Sequence, residues 1–597
     1  MAHRMALGLH PPKVRLTVRV GVTGHRNLSP QSLVALKDPI RSVLKAVREG
    51  ATRVSARAPF AYELGADCRL VTALAEGADR LAAEAAVSLN LKIDTILPFK
   101  REVYEETFSW PRQSIRDFET LLPPGAPALE LDGGLDPKRS EAFGELAEAL
   151  IANSEVLLAV WRGDPGEGVG GTRDVVRRAL SRGIPVVWLH PGRPGSPCLI
   201  RSLEPKTQVE EGDFNLLLEN RLAERIRFDP VIRKENFHLL DRILTWMGRS
   251  NSEYEKARDF FSEDGGCLPA SDQREDERKW QSMGECLDSK ESAIHLPIVQ
   301  TFRQPFAWVD QLAKYYGRLH RWSLVFNYLL GASVVFLAFQ GHIGVLHKAS
   351  AKEAPKFWTG FELALIILIL LITLRGWVKR WHERWLDYRW LAETLRQMHF
   401  LAPQAWRRPP FRAPAHIDRG HSGPSWLTVY SSNLLREAPL PAVKVDQGFL
   451  GYCRKTIMIF VAGQVSYHEE RETTQSKIAR RLHLSCLIFF LLALLGCVIH
   501  LFDLFGAPPY ATGLMVIVLP AFAGALNAIL HHAEFEQQAE HSAALGKWLR
   551  EAHDAWKEGP ISRDLLEKNA SSLTEAMMDE LVDWRDAFFD KPTPMGN

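Results

Sequence analysis

"VRLTVRVGVTGHRNLSP", Val14 to Pro30, sets an apolar, β-branched run directly before a Gly-His-Arg turn that leads into a candidate helix. A continuous apolar run of this length suits a strand buried on both faces, as in a parallel sheet covered by helices. Glycine at the turn lets the backbone bend tightly and approach a ligand with no Cβ in the way. A helix starting there offers unpaired N–H groups and the positive end of its dipole. Strand, glycine turn and helix in that order make a holder for an anion, phosphate above all.

The pattern recurs over the first third of the chain. The short runs "CRLVTALA", "IDTILPF", "EVLLAVW" and "IPVVWLH" alternate with "ADRLAAEAAVSLNL" and "RSEAFGELAEALIANS", which have helical periodicity. This alternation predicts an α/β domain over residues 1–195, a doubly wound parallel sheet that binds ligands beyond the C-terminal ends of its strands. Two more junctions are rich in glycine, "AEGADR" at Ala75 to Arg80 and "GVGGTRD" at Gly168 to Asp174. Thr172 is expected as N-cap of the helix "TRDVVRRALSRG", which ends at Gly183 with a proline soon after. Arg26 is suited to a bidentate phosphate contact. His25 either caps its turn or touches ligand, Trp161 is either core or a stacking surface, and Tyr104 and Phe108 are expected to close the domain.

The series "VGVTGHR", "ALAEGADRLAAEAA", "ILPF…YEETF" and "SEVLLAVWRGDPGEGVGGTRDVVRRA" resembles the SLOG superfamily over roughly the first 190 residues. That is the Rossmann-like group of DNA-processing protein A and the cytokinin-activating Lonely Guy enzymes. The resemblance implies nucleotides or nucleotide-derived sugars as ligands. It implies a binding set of Gly24, His25, Arg26, Gly77, Asp79, Arg80, Trp161, Gly163, Gly170, Gly171 and Thr172. Lonely Guy enzymes cut a glycosidic bond with an Arg and a Glu in a "PGGxGTxxE" stretch. Here the corresponding loop reads "GVGGTRDVV", with Val175 or its neighbours at the glutamate position and Asp174 at a different spacing. The carboxylate for an oxocarbenium-like centre is thus missing or displaced. Binding without turnover is expected, with no catalytic residue.

At 597 residues the chain is too long for one core, and its formal net charge of +2 argues against bulk nucleic acid as a partner. Seven scattered cysteines form no CxxC pair and no metal-ligand spacing, so packing thiols in a reducing compartment and no metal are expected. The N-terminus has no long apolar core, so no signal peptide is expected.

Residues 196–300 read as a linker region of loops around short amphipathic helices, with "PGRPGSP" as a loop and "FFSEDGGCLPASDQREDERKWQ" as a flexible excursion. Four apolar runs then approach the roughly 20 residues that a span needs. They lie at Trp322 to Phe339, Phe357 to Val378, Leu484 to Phe502 and Pro509 to Leu530, in two close pairs. Flanking "RLHRW", "RRLH" and "RGWVKRW" predict that both hairpins begin and end in the cytoplasm, though Lys348, Lys352 and Lys356 run against that orientation. Each hairpin is followed by an amphipathic helix. Gln311 and Tyr315 stand against Gln464 and Tyr467 or its neighbour, as in an internal repeat. The arrangement, with residues such as "RWLAETLR", resembles SLATT two-span modules, one unit at 301–402 and another at 451–597, joined by a linker at 403–450. Within the spans, Asn327 and Asn527 are expected to bond between helices, and Gly331, Gly496 and Gly524 to allow close packing. Glu362, His500 and Asp503 are expected near the membrane interface.

These expectations combine into a multi-pass inner-membrane protein with both termini cytoplasmic. Its soluble domain would bind a nucleotide- or NAD-derived messenger, with no other cofactor, and act through the lipid bilayer as a homo-oligomeric pore or disruptor. The two resemblances imply bacterial antiphage defence and a partner enzyme that makes the messenger. A membrane-anchored nucleotide phosphoribohydrolase and a metabolite-regulated transporter or passive anchor are the alternatives.

Overall fold

A computed structural model of the chain describes residues 11–109, 111–133, 140–164, 168–203, 207–226, 253–262, 287–346, 354–406, 425–502 and 509–589. An N-terminal mixed α/β sheet domain is followed by a helical region with four helices long and apolar enough to cross a membrane.

Strand β1 (Val14–Gly24) takes the centre of the sheet because it is buried on both faces, with Leu16, Val18 and Val20 at 0% exposure. It pairs in parallel with β2 (Tyr62–Thr72) on one side and β5 (Val156–Val160) on the other. Beyond β2 lie β3 (Lys92–Leu97) and β4 (Leu129–Glu130), and beyond β5 lies β6 (Val186–His190), all parallel. Two antiparallel strands, β7 (Arg193–Ser202) and β8 (Gln208–Val209), complete the order β4-β3-β2-β1-β5-β6-β7-β8. Helix α1 (Pro30–Ala56) joins β1 to β2, and α2 (Ala78–Ser88) joins β2 to β3. Two short helices, α3 (Arg101–Glu105) and α4 (Pro111–Leu121), precede β4. Helix α5 (Ser140–Ala152) enters β5, and α6 (Thr172–Ser181) leaves it.

Two local expectations are corrected here. "PGRPGSP" is not a loop: it supplies the start of β7, next to the two-residue strand β8. Proline cannot donate to a ladder, and a register irregularity between Trp188 and His190 accommodates the stretch. The N-cap of α6 is Gly171, and Thr172 is the first helical residue. Gly183 does end the helix, at φ +66°.

Helices α7 (Phe214–Ile226) and α8 (Glu253–Phe261) come next, and α7 packs on α1. The stretch "FFSEDGG…", read as a flexible excursion, begins in the fold instead, with Phe260 and Phe261 buried at the end of α8, and from residue 263 it lies outside the described residues. Among the described residues all cysteines are free. Cys68, Cys453 and Cys486 are buried, Cys198 is half-buried and Cys497 is exposed on a span. Cys267 and Cys286 lie outside.

The membrane-directed region is built twice. Helix α9 (Ser289–Leu346) runs into the first hairpin, α10 (Ala354–Val378) returns, and α11 (Trp381–Leu401) folds back along α9. After α12 (Trp426–Glu437), the long α13 (Gln447–Leu501) repeats the move. Its partner begins as α14 (Pro509–Gly513), passes a π turn at Leu514–Val518 and continues as α15 (Leu519–Ala533). Helix α16 (Phe535–Lys557) then folds back along α13, and α17 (Arg563–Phe589) follows. Both fold-backs turn on a non-glycine residue in the left-handed region, Arg380 at φ +52° and Glu534 at φ +53°. That conformation is costly for a side chain with a Cβ, so its use at equivalent places is a structural mark of the repeat. Gln311 and Gln464 are both buried, while His468 takes the inward place at 0% exposure and Tyr467 faces out.

Inside the spans, Asn327 donates to Thr373 Oγ1 at 3.0 Å between α9 and α10. Tyr328 and His532 meet at 3.1 Å between the hairpins. A Cβ on Gly496 would lie 2.6 Å from that of Met515, so this glycine does permit close packing. Among the described residues nothing lies within 4 Å of a Cβ on Gly331 or Gly524, and Asn527 is exposed, so these positions do not pack helices together as expected. Glu362 is half-buried and His500 exposed, and Asp503 lies outside the described residues.

Of the stretch 403–450, read as a linker, residues 407–424 lie outside the described residues, and 425–450 tie the two halves together. Trp426, Leu427, Tyr430 and Leu434 of α12 are buried, and the helix packs on β1. Arg436 Nε donates to Glu155 Oε1 at 2.8 Å, and Asn433 donates to the Tyr62 hydroxyl at 3.1 Å. The Tyr430 hydroxyl donates to the Pro12 carbonyl at 3.1 Å. All these partners sit toward the N-terminal ends of β1, β2 and β5. At the other rim, Val443 and Val445 pair with β4: Glu130 N–H donates to Val443 O at 2.9 Å, and Val445 N–H to Glu130 O at 2.7 Å. Asp446 then caps α13 by accepting from Phe449 N–H at 2.9 Å.

Candidate functional site

The glycine junctions follow β1, β2 and β5, which are parallel neighbours, so all open on the same rim. The first two touch. His25 N–H donates to Val160 O at 3.1 Å, and Ala78 N–H donates to His25 O at 3.3 Å. Gly77, at φ +83°, has no room for a side chain: a Cβ there would lie 2.4 Å from His25 O and 2.5 Å from Arg26 O. A Cβ on Gly24 would meet Val160 O at 2.7 Å and Ala78 Cβ at 2.5 Å. Both positions need glycine for close approach of backbones.

The third junction joins through α5. A Cβ on Gly170 (φ +79°) would lie 2.5 Å from the Phe143 backbone, and the Arg26 guanidinium stands 5.0 Å over the Phe143 ring. His25 Nε2 accepts from Arg162 N–H at 3.1 Å, with Asp164 4.0 Å away, which orients the imidazole across the floor of the rim. Gly163, at φ +91°, follows directly. Of the expected binding set, Gly24, His25, Arg26, Gly77, Gly163, Gly170, Gly171 and Thr172 thus gather around the β1–β5 junction.

Asp79, Arg80 and Trp161 do not present side chains there. Trp161 is 1% exposed, packs against Trp188 and accepts the Trp188 indole N–H on its carbonyl at 2.7 Å. Arg80 is turned into the domain, donating to Leu74 O at 3.1 Å and Ser114 Oγ at 2.7 Å, with Phe108 4.6 Å from its guanidinium. Tyr104 and Phe108 pack there with Phe118. Asp79 is 5% exposed and accepts from Thr72 Oγ1 at 3.0 Å and Ala73 N–H at 3.3 Å.

Burial pushes the Asp79 carboxyl up to about 6, against the opposing Thr72 bond and the field of Arg26. A carboxyl with a raised folded-state pKa contributes stability below its unfolded pKa, and that contribution fades as pH rises through about 4 to 6. Asp79→Asn therefore gains on the wild type by up to about 3 kcal/mol between pH 4 and pH 7. Thermal melts of both proteins at the two pH values check this, and parallel curves would refute it.

Asp174, one turn into α6, is held below the usual carboxylate range. Its burial would raise it, but bonds from Arg177 and Gly170 N–H and the charge of Arg178 outweigh that. The Gly170 N–H bond is 3.0 Å, and the Arg178 Nε bond 2.8 Å. Phe143 lies on a helix away from the glycine turns, and Arg162 acts through its backbone N–H, which no residue type signals. Among the described residues no group of three or more His, Cys, Asp and Glu could hold a metal ion.

Residues 304–401 match a family model described as a protein of unknown function, DUF4231. The match spans the later part of α9, then α10 and α11, which is the first two-span unit with its fold-back helix. No curated protein matches the chain.

Proposed function

We propose that the rim binds a phosphate-bearing nucleotide derivative and that its capture changes the packing of four membrane-spanning helices, opening or disrupting a bilayer. The observation that carries this reading is the splice at Glu130. The loops gather on the rim where β4 ends, and β4 pairs with the three residues Val443–Val445, with α13 starting at Gln447. A ligand that orders the rim therefore pulls on a sheet whose edge is hydrogen-bonded to the start of a membrane helix. Backbone N–H groups at glycine turns, with Arg26 beside them, suit phosphate. The SLOG-like series, a strand order that reverses beside β1, and the SLATT-like repeat support the same reading. They add an inner-membrane location with cytoplasmic termini, a homo-oligomer, a messenger-making partner and an antiphage role. Coupling requires that the ligand bind the active packing better than the resting one.

A hydrolase reading draws little from Asp174, whose carboxylate is committed to Gly170, Arg177 and Arg178. The test is to purify the full chain in mild detergent, release bound small molecules by heat, and identify them by mass spectrometry. The heat extract, added to dye-loaded proteoliposomes, is expected to trigger release. Steady leakage or none, whatever is added, would sink gating in favour of a transporter or anchor. Free base formed from nucleoside monophosphates, and abolished by Asp174→Asn, would replace it with hydrolysis.

A further inference from the structure

The C-terminal helix reaches back to this same rim. Arg563, the first residue of α17, keeps only 11% of its side chain exposed, and its guanidinium pairs with Asp132 Oδ1 at 3.1 Å and with Glu145. Asp132 lies two residues past the end of β4, and Glu145 lies on α5. Helix α5 is the body that binds the third glycine loop to the first. Phe143 backs Gly170 and lies under Arg26, and Glu148 is gripped by Arg178 at 2.5 Å and by Arg182, both on α6. The same helix packs on α11, α13 and α16, the fold-back helices and the long helix of the second hairpin, and its first turns, at Leu565, Leu566 and Asn569, lie beside Arg454 of α13 and Trp548 and Trp556 of α16. One arginine thus stands between the rim and the helices that continue into the spans. The carboxylates it holds are 40% and 36% exposed, so the pair is accessible enough to break.

We propose that the clamp of Arg563 on Asp132 and Glu145 is a latch that keeps the spans in their resting packing. It rests on the rim being the ligand site: an anion there draws Arg26 off the Phe143 ring, shifts α5 and moves Glu145 out of reach of Arg563. Release undoes the ion pairs at the start of α17, and the fold-back helices lose one tie to the sheet, while α12 and the Glu130 pairing still hold the two halves together.

The experiment uses the full chain in dye-loaded proteoliposomes and the heat extract of the purified protein as probe. Arg563→Ala is expected to leak about 10-fold faster than wild type with nothing added, within the usual range of coupling between sites. Glu145→Gln, which keeps its shape, is expected to leak similarly, and Arg563→Lys to stay near wild type. Hydrogen exchange over residues 563–579 is expected to quicken in the two leaky variants. Because the latch lies downstream of the rim, the double variant Arg563→Ala/Gly171→Asp leaks as well. If Arg563→Ala and Glu145→Gln stay as tight as wild type and still respond to the extract, the latch is overturned and the ligand reading stands. If the extract does nothing to wild type while Arg563→Ala leaks, the ligand reading falls and the latch stands. A bilayer that stays tight with every variant overturns both.

Discussion

Replacing Arg436 with alanine is expected to destabilise the chain by about 3–5 kcal/mol, the usual cost of stranding one partner of a buried ion pair. Arg436 and Glu155 are 5% and 3% exposed in their side chains and meet at 2.8 Å. Glu155 also accepts from the Arg19 N–H at 3.1 Å, a neutral donor that does not replace the lost guanidinium charge. Asn433 would lose the guanidinium that donates to its side-chain oxygen at 3.0 Å. For a unit of this size the loss corresponds to a melting point lower by roughly 6–20 °C. A thermal melt of the detergent-solubilised full chain reads it. Substituting both partners together, Arg436→Met with Glu155→Leu, is expected to cost less than Arg436→Ala alone, because no buried charge is left unpaired. A single variant that melts like wild type would mean that α12 does not dock on β1 as described.

Gly171→Asp is expected to weaken binding of pyrophosphate, a generic probe of the rim, by at least about 100-fold. A like charge about 4 Å from a phosphate costs about 4 kcal/mol near a protein surface, ample for that loss. The fold should not suffer. Gly171 is the N-cap of α6 at φ −70°, ψ 161°, a conformation open to any residue, and aspartate caps helices better than glycine does. A melting point held or slightly raised, with affinity lost, separates charge repulsion from misfolding. Calorimetry that finds unchanged affinity would remove this loop from the site.

What was legible in the chain was the periodic and the local. Val14, Leu16, Val18, Val20 and Val22 alternate with polar residues and mark a strand, and β1 is the central strand, but burial of its other face, with Thr17 and Arg19, came from what packs on it. The four apolar runs are long enough that few other structures would bury them, and the structure has a helix at each. Gly77 shows why a glycine motif can be read before its partner is known: its backbone conformation excludes other residues, whatever it touches. Other features were illegible for the opposite reason. Nothing in "PGRPGSP" signals an antiparallel strand, because pairing at a sheet edge is decided by the neighbour and not by the stretch itself. Asp79, Arg80 and Trp161 sit in or beside motifs, yet their side chains turn into the domain, since a strand end has a core side as well as a ligand side.

The amino-acid order alone carried the kinds of element, their succession, the three glycine turns, and four apolar runs in two pairs. These follow from short-range sterics and from the periods of apolar residues, which are properties of neighbouring positions. Only the tertiary structure decided that the three turns share one rim, that α12 crosses to the opposite one, and that Glu130 and Arg563 connect the rim to the spans. The contacts of α12, Glu130 and Arg563 join residues hundreds of positions apart, and a chain fixes such pairings only when its whole core is packed at once.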